Sequence, residues 1–258
     1  MKVIFAENSW PEMKEAIKQK DIVVLVAAAT EQHGLHLPVE TDTRCAFEVA
    51  KRAAEKEGGV LVAPAIPFGL SSMHYEWPGT ISIRPSTLID LVFDVGRHLI
   101  HQGFRKIVIV NGHTPNVYCL IIAAGLLKQQ TGAFVAVLNW FDLAKDAASQ
   151  VRESEPGGMR HSCELETSAM LVIRPELVDM SKAVKEMPRL PQDDFVKFDI
   201  AIPGKFEISV TPTYTGLTKS GVRGDATVAS REKGEKIIEA AVDNLAEFLN
   251  ALKKWENW

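Results

Sequence analysis

Long apolar runs, an excess of one charge and paired cysteines are all missing from this sequence, and each absence removes a class of protein. No hydrophobic stretch approaches the roughly 20 residues that a membrane-crossing helix requires. Met1–Glu7 begins apolar, but Glu7, Asn8, Glu12 and Lys14 break it up before the core of a signal peptide is built. With 29 basic against 33 acidic residues and a net charge of -4, the chain has no electrostatic footprint for nucleic acid and no polybasic membrane patch. Cys45, Cys119 and Cys163 are odd in number, far apart and without Cys-x-x-Cys spacing, which reads as reduced thiols buried as small hydrophobes in a cytoplasmic protein. Internal repeats and shifts of composition are also absent, so residues 1–258 read as a single domain with ample length for a core.

What is present is a buried strand running into chemistry. Asp21–Ala29 is short, apolar and β-branched, as expected of a strand covered on both faces of a parallel sheet. It leads directly into Thr30-Glu31-Gln32-His33-Gly34-Leu35-His36-Leu37-Pro38, followed by Asp42. In open α/β sheets sites form at the carboxyl ends of strands, and carboxylate and imidazole are ligands for Zn²⁺, Mn²⁺ or Fe²⁺. Residues two apart on an extended loop point the same way, so Glu31 and His33 can converge on one ion or on two neighbouring ions. The alternative is a polar turn in which Thr41 and Asp42 cap the helix that follows.

The same arrangement recurs downstream. Lys106–Val110 reads as a strand entering Asn111-Gly112-His113, which brings a second imidazole to the same sheet edge. The competing reading is an anion-binding helix N-terminus, although the glycines of a phosphate cradle are lacking. His161 and Glu166, before the apolar run Ala169–Ile173, form a third signal that would otherwise read as a capping box on Ser162. Helices are expected over residues 10–20, 46–54, 86–103 (capped by Ser86), 117–130 and about 228–254, with further strands at 60–65 and 133–139. The long loop from Ile66 to Thr80, with His74 and Trp77, is a candidate substrate wall or a structural loop with a stacked aromatic. His98 and His101 follow no strand and are assigned to the flanks of a helix. Residues 175–218 read as irregular.

These segments together resemble the creatininase, or creatinine amidohydrolase, family. The resemblance is carried by Glu31-Gln32-His33-Gly34-Leu35-His36-Leu37-Pro38 with Asp42, by Asn111-Gly112-His113 with Asn116, and by His161 with Glu164-Leu165-Glu166-Thr167-Ser168. Pro78-Gly79-Thr80 and Gly221-Val222-Arg223-Gly224-Asp225 extend it over nearly the whole chain. It implies a layered α/β fold around a mostly parallel sheet, a homohexamer or other homo-oligomer, and two divalent metal ions per chain, zinc, manganese or iron. Carried over, Glu31 and His113 hold one ion, His33 the other, and Asp42 bridges them. Creatininase supplies a further glutamate two positions after the histidine of its Asn-Gly-His motif; here that position is Pro115, and Glu166 is the expected replacement. His161 matches the family's proton-transferring histidine, and His74 and Thr80 are assigned to the substrate.

The implied reaction is hydrolysis by an activated water without a covalent enzyme intermediate. The substrate is a small molecule, either a cyclic amide opened at its C–N bond or a keto-inositol opened at a C–C bond. From another class, the alternative is a metabolite-binding protein that keeps the fold without the chemistry. Intact ligands at Glu31, His33, Asp42, His113 and Glu166 argue against it.

Overall fold

The structure is a computed structural model and describes residues 2–187, 199–201 and 218–256. Its centre is a four-stranded parallel sheet in the order β2-β1-β3-β4, formed by Val60–Val62, Ile22–Ala27, Lys106–Asn111 and Phe134–Asn139. Every residue of β1 and β3 is buried, which is why these strands lack polar alternation.

Alternate side chains of β1 enter opposite layers, as the two-residue period of a strand demands. Ile22, Val24 and Val26 pack with Ala46, Val49 and Ala53 of α2 (Thr41–Glu57) and with Ile237, Ala241 and Leu245 of α8 (Arg231–Lys253). Val23, Leu25 and Ala27 pack with Met13 and Ala16 of α1 (Trp10–Gln19), Leu88 and Val92 of α3 (Pro85–Gln102), and Leu120 and Ala123 of α4 (Val117–Thr131). The result is three layers. Each fully buried Val, Leu or Ile contributes about 1.5–3 kcal/mol from burial, so the two cores together hold the sheet edge rigid beneath its loops.

Several expectations need correction. Ser86 does not cap α3: the helix starts at Pro85 behind Arg84, where proline's missing N–H is no loss. Thr41 and Asp42 do not cap α2 either; the Thr41 hydroxyl donates to Pro38 O at 2.7 Å, and Asp42 lies in the first turn. The stretch after β4 holds two short helices that periodicity was too brief to reveal, α5 (Trp140–Leu143) and α6 (Lys145–Val151). A second, antiparallel sheet, in the order β5-β7-β6 from Met159–His161, Arg223–Asp225 and Lys185–Glu186, was likewise not legible in strands of two or three residues. Of the segment read as irregular, residues 175–187 form short turns and β6, whereas 188–198 and 202–217 lie outside the described residues. The helix α7 begins at Glu164, five residues before the apolar run.

Candidate metal centre

The parallel register sets the site. Ala27 of β1 pairs with Asn111 of β3, so the two loops that follow leave the sheet side by side. The Asn111 side chain bridges them to the edge, accepting from His113 N–H at 3.1 Å and donating to Asn139 Oδ1 at 2.8 Å. Gly112 is required by proximity and not by a phosphate: a Cβ there would lie 2.5 Å from the carbonyl oxygen of Asp42. Asn116 then ties the outer loop down, donating to Ala28 O at 3.0 Å and accepting from Leu70 N–H at 2.9 Å.

Within this frame the structure brings Glu31, His33, Asp42, His74, His113, His161 and Glu166 together, each buried. Asp42 faces two imidazoles, His33 Nε2 at 3.1 Å from Oδ1 and His113 Nδ1 at 3.0 Å from Oδ2. Glu31 faces three, with His113 Nε2 and His74 Nε2 at 3.4 Å and His161 Nδ1 at 3.5 Å. Ligand atoms in three groups lie within 4.8 Å of one another: Glu31, Asp42 and His113; His33, Asp42 and Glu166; and Glu31, His33 and His161. Asp42 belongs to the first two.

This donor set fits divalent cations. Glu31 Oε2, Asp42 Oδ2 and His33 Nε2 are buried without a hydrogen-bond partner despite their near neighbours, an arrangement that is costly unless a positive charge joins them. The titration preferences agree. Burial is the main influence on Glu31 and Glu166 and pushes each carboxyl up to about 7. Burial opposes charge on His33 and His113 as well, yet Asp42 and Glu31 override it and raise them to about 10 and about 9. Asp42, also disfavoured by burial, is held below the usual carboxylate range by the same two imidazoles. Asp42 and Glu31 thus draw positive charge onto the imidazoles of a buried cluster. The wall behaves differently, because burial lowers His74 to about 3 and lowers His161 well below an ordinary histidine.

Other candidates take supporting places. Glu166 Oε2 accepts the Ser162 N–H at 2.6 Å, and Ser162 itself adopts a left-handed φ of 52° to aim it; no capping box forms there. His36 lies off the three groups and contacts Thr167 Oγ1 at 2.8 Å, tying the first loop to α7 (Glu164–Ile173). Thr80 accepts the Gln32 N–H at 3.1 Å through its hydroxyl. Pro115 sits in a turn over Thr114–Asn116. His98 and His101 are exposed on α3. Cys45 and Cys163 are free and buried beside the cluster, where burial raises both thiols well above the ordinary value and keeps them protonated. Sequence reasoning quoted Gln32 and Arg223 within motifs but gave neither a role; Arg223 faces His161 across β5 and β7 and is 3% exposed.

A three-layer α/β sheet with a buried carboxylate–imidazole cluster at its carboxyl edge defines a metal-dependent hydrolase. The creatinine amidohydrolase (creatininase) family model matches residues 6–249, and the chain belongs to that family. It is similar to a creatinine amidohydrolase of Pseudomonas putida, 31% identical with 96% of each chain covered. It is also similar to a 3-dehydro-scyllo-inosose hydrolase of Thermotoga maritima, 28% identical over 96% of this chain and 82% of the relative. Creatininase structures named as a Mn form and a Zn-Zn type superpose with TM-scores of 0.83 at 29% identity, over 99% of this chain and 100% of each. No helix among the described residues is long and apolar enough to cross a membrane.

Proposed function

We propose that this hydrolase holds two divalent ions, zinc or manganese, and opens a small cyclic amide at its C–N bond. The observation that carries the reading is the sharing of Asp42 between the groups Glu31–Asp42–His113 and His33–Asp42–Glu166, one for each ion. Two divalent ions held by these residues would acidify a water and polarise the carbonyl under attack. The chain's own residues do the rest. The Glu31 main-chain oxygen accepts a hydrogen bond from His33 Nδ1–H at 3.1 Å, which turns Nε2 to the cluster. Glu166, held by the Ser162 amide, fills the place that Pro115 cannot. His161 moves a proton between the attacking water and the leaving nitrogen, so that one water is consumed and the ring opens to a single product bearing both the amine and the carboxylate. His74 and the turn at Thr80 border the space for the substrate.

A second reading, ring opening of a cyclic polyol ketone at a C–C bond, is favoured by the likeness to the Thermotoga hydrolase. Elemental analysis combined with a hydrolysis screen of cyclic amides and cyclic polyol ketones under Zn²⁺, Mn²⁺ and Fe²⁺ separates them. About two ions per chain with amide turnover supports the first reading, whereas ketone turnover alone selects the second. Less than one ion per chain, with no activity on reconstitution, means a metabolite-binding protein.

We also propose self-association in the cytoplasm through the outer face of α3 and α4, where Leu91, Tyr118, Ile121 and Ile122 are exposed together. Light scattering should find an oligomer that Ile121→Glu dissociates; a monomeric parent protein would refute this.

A further inference from the structure

Gln32 sits between two site histidines, and its hydrogen bonds fix the orientation of its amide. Its side-chain Oε1 accepts the Gly34 N–H at 2.9 Å, and its Nε2 donates to Gly221 O at 3.1 Å. Both partners are backbone groups of fixed polarity, so the amide has one orientation: flipped, it would set donor against donor and acceptor against acceptor. Gly221, at φ 84°, leaves the room, since a Cβ there would lie 2.0 Å from Oε1.

Nε2 carries two hydrogens and has three neighbours. Besides Gly221 O, these are His74 Nδ1 at 2.8 Å and His161 Nε2 at 3.0 Å. Gly221 O can only accept, which leaves one hydrogen for two imidazoles. His161 Nε2 has a second contact, the main-chain oxygen of Gln32 at 2.9 Å, and that oxygen also only accepts. His161 Nε2 therefore bears hydrogen and donates to it, and the remaining amide hydrogen goes to His74 Nδ1. The other nitrogen of each ring faces the same atom, Glu31 Oε1, at 3.4 Å from His74 Nε2 and 3.5 Å from His161 Nδ1.

We propose that Gln32 is a positioning residue that fixes hydrogen on Nε2 of both histidines, through its side-chain amide at His74 and its main-chain oxygen at His161, so that His74 presents an Nε2–H donor toward Glu31 and His161 turns its Nδ1 to the same side. The hydrogen of each ring is thereby fixed on Nε2 before any substrate arrives. The assignment of tautomers stands on the hydrogen-bond geometry alone; its effect on turnover rests on the hydrolase reading above.

The test is long-range ¹H–¹⁵N correlation on histidine-labelled, zinc-loaded protein, with the two rings assigned from His74→Gln and His161→Gln variants. The expected spectrum has hydrogen on Nε2 of both rings. In Gln32→Glu the carboxylate still accepts from Gly34 but offers His74 no hydrogen, so His74 moves its proton to Nδ1 while His161 is unchanged. On a substrate found in the screen, kcat falls on the order of 10²-fold with KM and zinc content retained. Hydrogen on His74 Nδ1 or a bare His161 Nε2 in the unsubstituted protein overturns the proposal, even if the variant fails to fold. So does a Gln32→Glu variant with the parent spectrum or the parent kcat. If the unsubstituted protein turns over nothing, the hydrolase reading fails and the spectra still decide the tautomers.

Discussion

His33 Nε2 and Asp42 Oδ1 meet at 3.1 Å inside the protein, one from the loop after β1 and the other from the first turn of α2. Neither group is stable there alone. A buried imidazole and a buried carboxylate each lose hydration on folding, and each makes up the loss through the other or through a cation. Asp42→Ala should therefore abolish turnover and lower the metal content relative to the parent protein. Elemental analysis and a hydrolysis assay check this, with circular dichroism confirming an intact fold; full activity in the variant would refute the role given to Asp42.

Chelation should destabilise the protein as well as silence it. A ligand that binds only the native state adds RT ln(1 + [L]/Kd), about 2.7 kcal/mol at a hundredfold excess over Kd. Thermal unfolding with and without a chelator should show a lower Tm for the stripped protein, recovered on addition of Zn²⁺ or Mn²⁺. An unchanged Tm and unchanged activity after verified metal removal would count against a metal centre.

Glu164 and Lys233 pin the helix that delivers Glu166. Lys233 Nζ donates to Glu164 Oε1 at 2.6 Å, and Glu164 also accepts the backbone N–H of Glu153 and Ser154 at 2.9 and 3.0 Å. With Glu164 fully buried, Lys233→Met leaves an uncompensated charge, and the expected cost is about 3–5 kcal/mol. Urea unfolding of Lys233→Met and of the double variant with Glu164→Gln should show partial recovery in the double variant, since the stranded charge is gone.

Glu186 gives the protein an acid-sensitive turn. Burial opposes its charge, but donors from Thr218, Lys219 and Ser220 outweigh this and bring the carboxyl from the usual 4.5 to about 2. The unfolded chain therefore takes up this proton at a higher pH than the native one. The contribution is complete above pH 4.5 and is lost as pH falls toward about 2. The stability gap between the parent and Glu186→Gln should narrow over that interval; a gap independent of pH would contradict the assignment.

The parts of this architecture that were legible in the sequence are those that repeat a pattern over many residues. β1 and β3 announce themselves as unbroken apolar runs, α8 by its helical spacing, and the first site loop by its density of ligands. The convergence of His161 and Glu166 on His33 was supplied by family likeness, because their spacing alone equally describes a capped helix. Gln32 was invisible for a physical reason: its role depends on Gly221 and on two histidines brought close by three separate segments. The antiparallel sheet was missed because strands of two or three residues carry no readable period.

The in-register exit of the two strands, Ala27 beside Asn111, acts as a ruler. One residue gained or lost in either strand would turn its loop to the wrong face and carry Glu31 or His113 out of reach. Loops normally tolerate insertion, but these two cannot. An insertion in either strand is therefore expected to cost the cluster one of its arms, whatever happens in the stretch around His74 and Thr80.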